Sequence, residues 1–214
     1  MIKISQKAKF KTVKKPSSAV LIEKKSKFIA SVCPVSCEED ALSFLKSVKS
    51  QYPDASHHVY AYIIDDNNIF RYSDDGEPGG TAGMPVLDTI RKEDIVDVIV
   101  VVTRYFGGTL LGTGGLVRAY TASAQKGINE AGIIKRALCN IIMICADYTL
   151  VGKIQYKISS DNLILNDTLY ENDVKFFVCC LPENTNKLTE EITDLTNGRA
   201  SCTVIEQKYV DLPD

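Results

Sequence analysis

A chain of 214 residues in which 45% of the residues are hydrophobic and 24% are charged has the composition of an ordinary globular protein, which excludes the disordered and fibrous classes. No apolar run is long enough to span a membrane, and the basic N-terminus lacks the apolar segment of a secretory signal, so we expect a cytoplasmic protein without a membrane partner. The seven cysteines are an odd number without CxxC spacing. This usage favours reduced thiols over a disulfide framework or a zinc site.

Charge is distributed unevenly along the chain. The formal net charge is −2, yet residues 1–136 contain 19 Lys and Arg against 15 Asp and Glu, whereas residues 137–214 contain 6 against 12. The two parts therefore carry formal charges of +4 and −6. Residues 1–27 hold nine lysines and one glutamate, which predicts a basic arm that attracts polyanions. A solvated, poorly ordered terminus explains the same composition equally well.

Hydrophobic periodicity predicts the elements of the first part in chain order. Alternation over 17–35 indicates two strands joined by a tight charged turn. Ser36 and Glu39 form a capping box for an amphipathic helix that ends before Pro53. The remaining elements are a hairpin over 57–64 and 69–72, a short helix from near Pro85, a buried strand over 97–106 and a long helix around Leu116 that ends at Gly132.

A second set of elements follows Arg136, where the charge balance changes. In chain order they are a strand over 138–146, a helix over 148–158, a hairpin over 163–170 and 174–181, a helix over 188–195 and a final strand over 200–209. This strand–helix–strand–strand–helix–strand order is the ferredoxin-like pattern. The sequence thus predicts an α+β fold with two domains, residues 1–136 and residues 137–214.

Two glycine-rich loops, one before Pro85 and one over 107–115, each lead into a predicted helix. Glycine accepts positive φ and allows a ligand to approach the backbone closely. The first turn of the following helix offers unpaired N–H groups and the positive end of the helix dipole. The two loops therefore predict a surface that meets an anion or another backbone.

The second loop lies between a buried strand and a helix, as a phosphate-binding loop does, although its spacing matches neither the P-loop nor the Rossmann pattern. Arg104 and Arg118 flank this loop, and arginine can bind phosphate with two parallel hydrogen bonds. The alternative is that both arginines form salt bridges at the rim, with the acidic first loop as a partner. At Gly114 we expect either positive φ or near contact with a ligand.

The first loop contains three carboxylates, Asp74, Asp75 and Glu77, which would suffice to hold Mg²⁺ with water completing the octahedron. We favour the alternative in which Asp74 or Asp75 accepts backbone N–H groups of the glycine turn. His57 and His58 are the two histidines of the chain, and adjacent strand residues point to opposite faces of a sheet. At most one of them can therefore join the loops, and we assign His58 to the site.

Four stretches resemble the hallmark motifs of the YigZ/IMPACT family. They are SKFIA at 26–30, H-x-x-Y-A-Y at 57–62 with 58–62 as the nearer fit, R-x-SDDGEP-x-GTAG-x-P at 71–85, and VTRYFGG-x-x-LG-x-GGLVRAY at 102–120. The resemblance implies that residues 1–136 form an IMPACT-like α/β domain of the fold shared with domain IV of elongation factor G and a ribosomal small-subunit protein. It also implies a ferredoxin-like C-terminal domain over 137–214.

Eukaryotic members of this family restrain a stress-sensing protein kinase that acts on translation, and they carry an extra N-terminal interaction domain that we do not expect in this protein. We therefore expect the kinase pathway not to apply to this chain. What the resemblance and the charge asymmetry predict together is a cytoplasmic RNA- or ribosome-binding protein that modulates translation and needs no cofactor. A protein partner for the acidic second domain is a further expectation.

The alternative function is an enzyme or ligand-binding protein that acts on a phosphorylated metabolite or nucleotide, hydrolase-like and metal-assisted, with the three loop carboxylates as candidate metal ligands. The sequence contains no familiar nucleophile motif and no dinuclear metal-ligand set, so we assign no catalytic residue. The residues assigned to nucleic-acid or anion binding are Lys14, Lys15, His58, Arg71, Arg104, Gly107, Gly108, Gly112, Thr113, Gly114, Gly115 and Arg118.

Overall fold

The computed structural model of the chain describes residues 8–212. The fold is mixed α and β, with two antiparallel sheets and five α-helices among the described residues. These residues divide into two compact units, 8–135 and 136–212. The α+β class predicted from the sequence is therefore confirmed.

The described part of the first unit contains six strands and three α-helices. They are β1 (Lys9–Val13), β2 (Ser17–Glu23), β3 (Ser26–Pro34), α1 (Glu38–Gln51), β4 (His57–Ile64), β5 (Ile69–Ser73), α2 (Gly83–Lys92), β6 (Val98–Tyr105) and α3 (Thr113–Ala131). Five of the strands form one sheet in the order β2-β3-β6-β4-β5. Within it, Arg104 pairs with Phe28 on one side and with His57 on the other. These three side chains therefore lie in one row on the same face of the sheet.

Helices cover both faces of this sheet. The helices α2 and α3 pack on the face that presents Phe28, Val59 and Val100. The helix α1 packs on the opposite face, against Tyr62 and Val101. The strand β6 is buried along nearly its whole length, as the apolar β-branched run in its sequence predicts.

The second unit follows the order strand, helix, strand, strand, helix, strand. Its elements are β7 (Ile133–Ala146), which crosses the boundary between the units, α4 (Val151–Ser160), β8 (Ile164–Tyr170), β9 (Val174–Cys180), α5 (Thr185–Thr196) and β10 (Ser201–Leu212). The strands of this unit are ordered β8-β9-β7-β10. The helices α4 and α5 contribute Ile154 and Ile192 to a core that contains Ile144, Phe176 and Val178 of the sheet.

The described part of the N-terminal segment differs from the poorly ordered terminus that its composition would explain. Residues 1–7 lie outside the described residues. Residues 9–13 form β1, in which Thr12 and Val13 are buried, and Lys11 forms a parallel bridge with Ile95. The described part of the segment is therefore folded rather than a poorly ordered terminus, and the attraction of polyanions by its lysines stays a prediction.

The start of α1 also differs from the predicted capping box. The N-cap residue is Cys37, which makes no side-chain cap hydrogen bond. Ser36 donates its backbone N–H and its hydroxyl to the carboxylate of Asp40, at 3.2 and 2.7 Å. These two hydrogen bonds lower the pKa of Asp40. The acidic partner of Ser36 is thus Asp40 rather than Glu39, and the box prediction was wrong by one residue.

Three cysteines of the second unit, Cys179, Cys180 and Cys202, have thiols withdrawn from solvent. All seven cysteines of the chain are free thiols, and burial raises the pKa of Cys179, Cys180 and Cys202. A thiol with a raised pKa stays protonated and is a poor nucleophile.

Long apolar helices are the usual means of crossing a bilayer. Within residues 8–212, no helix combines the length and the apolar character that this requires.

Candidate functional site

The two glycine-rich loops are joined by the carboxylate of Glu77. The first loop connects β5 to α2, and the second connects β6 to α3. Glu77 belongs to the first loop and is buried; its Oε1 accepts hydrogen bonds from Arg104 at the end of β6, at 2.5 Å, and from Tyr120 of α3, at 2.7 Å. Burial, together with this hydrogen bond, raises the pKa of Tyr120, so the phenol remains a donor. One carboxylate thus links the first loop to both elements that flank the second.

Arg104 is an internal side chain. Only 6% of it is exposed, and its Cζ lies 5.3 Å from the ring centroid of Phe28 and 5.6 Å from that of Phe106. A terminal nitrogen also lies 3.5 Å from the hydroxyl of Ser26. The sequence assigns Arg104 to a phosphate contact, with a salt bridge to the first loop as the alternative. The geometry favours that alternative, because the guanidinium faces Glu77 rather than solvent.

Asp74 organises the first loop by accepting backbone N–H groups. Its Oδ1 accepts from Ala82 at 3.0 Å and from Gly83 at 2.7 Å, and its Oδ2 accepts from Gly80 at 2.9 Å. This is the arrangement that the turn-carboxylate interpretation requires. It also brings Gly83 against β5, where a Cβ would lie 2.7 Å from the carbonyl carbon of Ser73.

The carboxylates of the first loop face different partners rather than a common centre. Asp75 accepts the backbone N–H of His58 at 2.6 Å, and its other oxygen lies 3.5 Å from the ammonium of Lys49. Glu77 faces Arg104 on the other side of the sheet. Among residues 8–212, no group of three or more His, Cys, Asp or Glu side chains is arranged to hold a metal ion. The geometry therefore gives no support to the metal-ligand alternative.

Asp74→Ala is expected to lower the free energy of unfolding by about 0.5–2 kcal/mol, by analogy with lost helix caps, because three loop N–H groups lose their acceptor. Asp74→Asn should cost less, since its amide oxygen can still accept from Ala82 and Gly83. Urea unfolding followed by circular dichroism measures the free energy of unfolding of both variants. The control is Asp88→Ala, which removes an exposed carboxylate of α2 and should change stability by less than about 0.5 kcal/mol. Unchanged stability of Asp74→Ala would show that this carboxylate does not hold the loop.

His57, rather than His58, lies beside the loops. The Nδ1 atom of His57 lies 2.8 Å from the carbonyl oxygen of Asp75, which can only accept, so Nδ1 carries the proton. The Nε2 atom lies 3.9 Å from Glu77 Oε1. His58 points to the opposite face, where its Nε2 lies 3.1 Å from the carbonyl oxygen of Tyr52, and burial lowers its pKa. The structure therefore places His58, which the sequence assigns to the site, away from it.

In the second loop, Gly107 is required by a close approach of two backbones. A Cβ at Gly107 would lie 2.1 Å from the carbonyl carbon of Lys25 and 2.3 Å from the nitrogen of Ser26. The Gly107 N–H also donates to the hydroxyl of Ser26 at 3.1 Å. The second loop is thus fastened to the turn between β2 and β3.

Gly112 and Gly114 play different roles at the start of α3. Gly112 is the N-cap, with a φ of +70°, which favours glycine. Gly114 lies inside the first helical turn and is absent from the described positive-φ residues. A Cβ there would approach only Nη1 of Arg118, at 3.9 Å. Of the two alternatives expected at Gly114, positive φ is not observed, because the helix already begins at Thr113; near contact with a ligand stays a prediction.

Lys24 and Lys25 add charge that sequence reasoning did not assign to the site. They form the two-residue turn between β2 and β3, with φ of +44° and +68°, and both are exposed. Positive φ at both positions defines a type I′ turn, which favours Asn-Gly. A non-glycine residue in this conformation costs roughly 1–2 kcal/mol, and such strain concentrates at functional positions. The charged turn was visible in the sequence, but its contact with Gly107 was not.

The assigned cations lie at separate places on the first unit. Arg118 is exposed on α3 beside the second loop. Lys14 is bonded through its N–H to the carbonyl of Gly132 at 2.8 Å, past the other end of α3, roughly 28 Å from the loop for a helix of 19 residues. Lys15 follows it. Arg71 is on the edge strand β5, with its Nε 3.8 Å from Glu38. Of these four residues, the structure brings only Arg118 to the loop.

Comparison with known proteins gives matches along both units. A family model described as the Impact N-terminal domain matches residues 24–128, and one described as a domain of unknown function, DUF1949, matches residues 144–199. IMPACT family member YvyE of Bacillus subtilis is 39% identical over 201 residues, which cover 94% of this chain and 93% of that protein. IMPACT family member YigZ of Escherichia coli is 32% identical over 196 residues, 90% of this chain and 96% of that protein.

A eukaryotic relative and a solved structure extend the comparison. Protein IMPACT of Mus musculus is 33% identical over 120 residues, which cover 52% of this chain and 37% of that protein. A crystal structure of a hypothetical protein has a TM-score of 0.61 and 28% identity to this chain, and the match covers 94% of this chain and 98% of the other. The bacterial relatives thus align along nearly the whole chain, whereas the mouse protein aligns along about half of it.

Proposed function

The chain belongs to the IMPACT family, and on that basis we propose that it binds RNA, free or on the ribosome, through the loop surface of its first unit. By this binding it modulates translation in the cytoplasm. We define the loop surface as the turn Lys24–Lys25, the second glycine-rich loop 106–112 and the first turn of α3 with Arg118.

The observation that carries the proposal is the exposure of three cations around an open backbone loop. Lys24 and Lys25 are held beside Gly107, and Arg118 lies over the first helical turn. Lysine and arginine supply the phosphate contacts that dominate RNA affinity. The N–H groups of a first helical turn add to them. This is a surface suited to a phosphate backbone.

The two units take separate roles in this proposal. Residues 1–136 act as the IMPACT-like domain, of the fold shared with domain IV of elongation factor G. Residues 137–214 act as a ferredoxin-like domain, and the strand order β8-β9-β7-β10 supports that assignment. Because residues 137–214 carry a formal charge of −6, we assign them a protein partner rather than RNA.

The alternative of a metal-assisted hydrolase has less support in the geometry. The carboxylate of Asp74 accepts hydrogen bonds from backbone N–H groups, and the carboxylate of Glu77 accepts them from Arg104 and Tyr120. Carboxylates that converge on one point would favour the enzyme, and these do not. We therefore retain binding as the proposed function.

The proposal is tested by a variant that removes charge while improving the turn. Lys24→Asn with Lys25→Gly places the favoured type I′ residues in the β2–β3 turn, so stability should hold or rise. Because two cations are lost, RNA affinity should fall, and the slope of log affinity against log salt should decrease by about 1.4 on a single strand. Co-sedimentation with ribosomes at near-physiological salt and fluorescence titration of an RNA oligonucleotide measure the effect.

The matched control removes two exposed lysines elsewhere in the first unit. Lys46→Gln with Lys92→Gln changes the net charge by the same amount, on α1 and at the end of α2. This control should bind as the wild type does. Equal binding by wild type and the turn variant, or equal losses in the turn variant and the control, would show that the loop surface is not the RNA site.

A further inference from the structure

Phe106 is a half-exposed aromatic ring at the centre of the loop surface. It follows the last residue of β6, and 50% of the residue is exposed. Its backbone N–H donates to the hydroxyl of Ser56 at 3.3 Å, which fixes the chain where it leaves the sheet. An aromatic side chain that is half in water at such a fixed point is available to a ligand.

Arg104 packs against the ring of Phe106 and orients it. The guanidinium lies over the ring, with Cζ 5.6 Å from the centroid, and is itself held by Glu77 at 2.5 Å. The guanidinium also lies over the ring of Phe28. Arg104 is buried, and its position is set by Glu77, Phe28 and the hydroxyl of Ser26. The ring of Phe106 that it contacts therefore loses little further conformational freedom when a ligand stacks on it. Arg104 is thus a positioning residue for Phe106 rather than a phosphate ligand.

The neighbours of Phe106 are cationic and apolar. Gly107 follows Phe106 and contacts the turn Lys24–Lys25, and Leu110 of the same loop is 83% exposed. A basic surface with an exposed aromatic ring is the combination by which proteins bind unpaired nucleotides, with phosphates on the cations and a base on the ring. In a duplex the bases already stack on each other and cannot reach such a ring.

We propose that Phe106 is a stacking platform for one unpaired base, and that the loop surface therefore selects single-stranded over double-stranded RNA. This inference rests on the proposed RNA-binding function. It adds the class of RNA and the residue that selects it.

The test compares Phe106→Leu with the wild type on two labelled probes, an oligouridylate of about ten nucleotides and a blunt-ended RNA duplex of about ten base pairs. Loss of one stacked base should weaken binding of the oligouridylate by about 5- to 150-fold. Binding of the duplex should not change, because the cations remain. The control is Phe70→Leu, since Phe70 is also half-exposed, at 43%, and also lies under a guanidinium, that of Arg91. This control should bind both probes as the wild type does.

A tryptophan variant reports by fluorescence whether a base stacks at position 106. The chain contains no tryptophan, so Phe106→Trp introduces a single indole that should keep the affinity for oligouridylate and be quenched when a base stacks on it. In Phe70→Trp the indole emission should not change on binding. Quenching at both positions or at neither would contradict a stacked base at Phe106.

The outcomes separate this inference from the proposed function. If the wild type binds RNA but Phe106→Leu keeps its affinity for both probes, or loses affinity for both probes equally, the stacking proposal fails and RNA binding stands. If Phe106→Leu loses co-sedimentation with ribosomes while keeping its affinity for oligouridylate, the ring contacts a ribosomal protein and the stacking proposal again fails. If the wild type binds neither RNA probe nor ribosomes, both proposals fail.

Discussion

Arg104→Ala is expected to lower the free energy of unfolding by about 3–5 kcal/mol, the range for removing one partner of a buried ion pair. The side chain of Glu77 is only 4% exposed, so it cannot turn to water when the guanidinium is lost. Tyr120 would remain as its one strong donor. Urea unfolding and the thermal midpoint both measure the loss.

Arg118→Ala provides the matched comparison, because it removes an exposed arginine of the same loop region. Its stability should change by less than about 0.5 kcal/mol, while its affinity for RNA should fall. Replacing Arg104 by Met together with Glu77 by Gln should cost less than the two single changes combined, since each single variant leaves one buried charge unpaired whereas the double variant leaves none. If Arg104→Ala unfolds like the wild type but binds RNA more weakly, Arg104 contacts phosphate and the internal ion pair is unimportant.

Gly107→Ala is expected to destabilise the protein by about 3 kcal/mol or more, at the upper end for overpacking. The added methyl group would lie 2.1 Å from the carbonyl carbon of Lys25, and a backbone atom cannot move aside as a flexible side chain can. Relief requires the second loop to separate from the β2–β3 turn. RNA affinity should therefore fall together with stability, because the lysine turn and the loop no longer form one surface.

Alanine substitutions at two other glycines distinguish the close backbone approach at Gly107 from the effect of a positive φ. At Gly79 a Cβ has open space and φ is not positive, so Gly79→Ala should change stability by less than about 0.5 kcal/mol. At Gly108 the space is open but φ is +79°, so Gly108→Ala should cost about 1–2 kcal/mol from backbone strain alone. A loss at Gly107 no larger than the loss at Gly108 would contradict the close approach to Lys25 as the reason for glycine at position 107, because Gly107 is not among the positive-φ glycines.

Local patterns in the sequence were enough to predict the family and every main element except β1, whose residues they assigned to a basic arm or a poorly ordered terminus. Alternating and helical periodicities predicted strands and helices at nearly the observed positions, because they report which side of an element is buried, and this is encoded locally. The apolar, β-branched run at 98–102 predicted a strand buried on both faces of the sheet. Motifs of the two loops identified the family without any knowledge of their contacts.

The partners of the polar side chains, in contrast, depend on tertiary contacts. Arg104 follows the buried run of β6, but whether it faces water or a carboxylate depends on Glu77 and Tyr120, which reach it from another loop and another helix. The choice of His57 over His58 depends on which face of the sheet the first loop covers. Lys25 joins the site because strand register brings its turn against Gly107. Such pairings join residues far apart in the chain, so no local pattern records them, and the energy of a charge is set by the neighbours that the fold supplies.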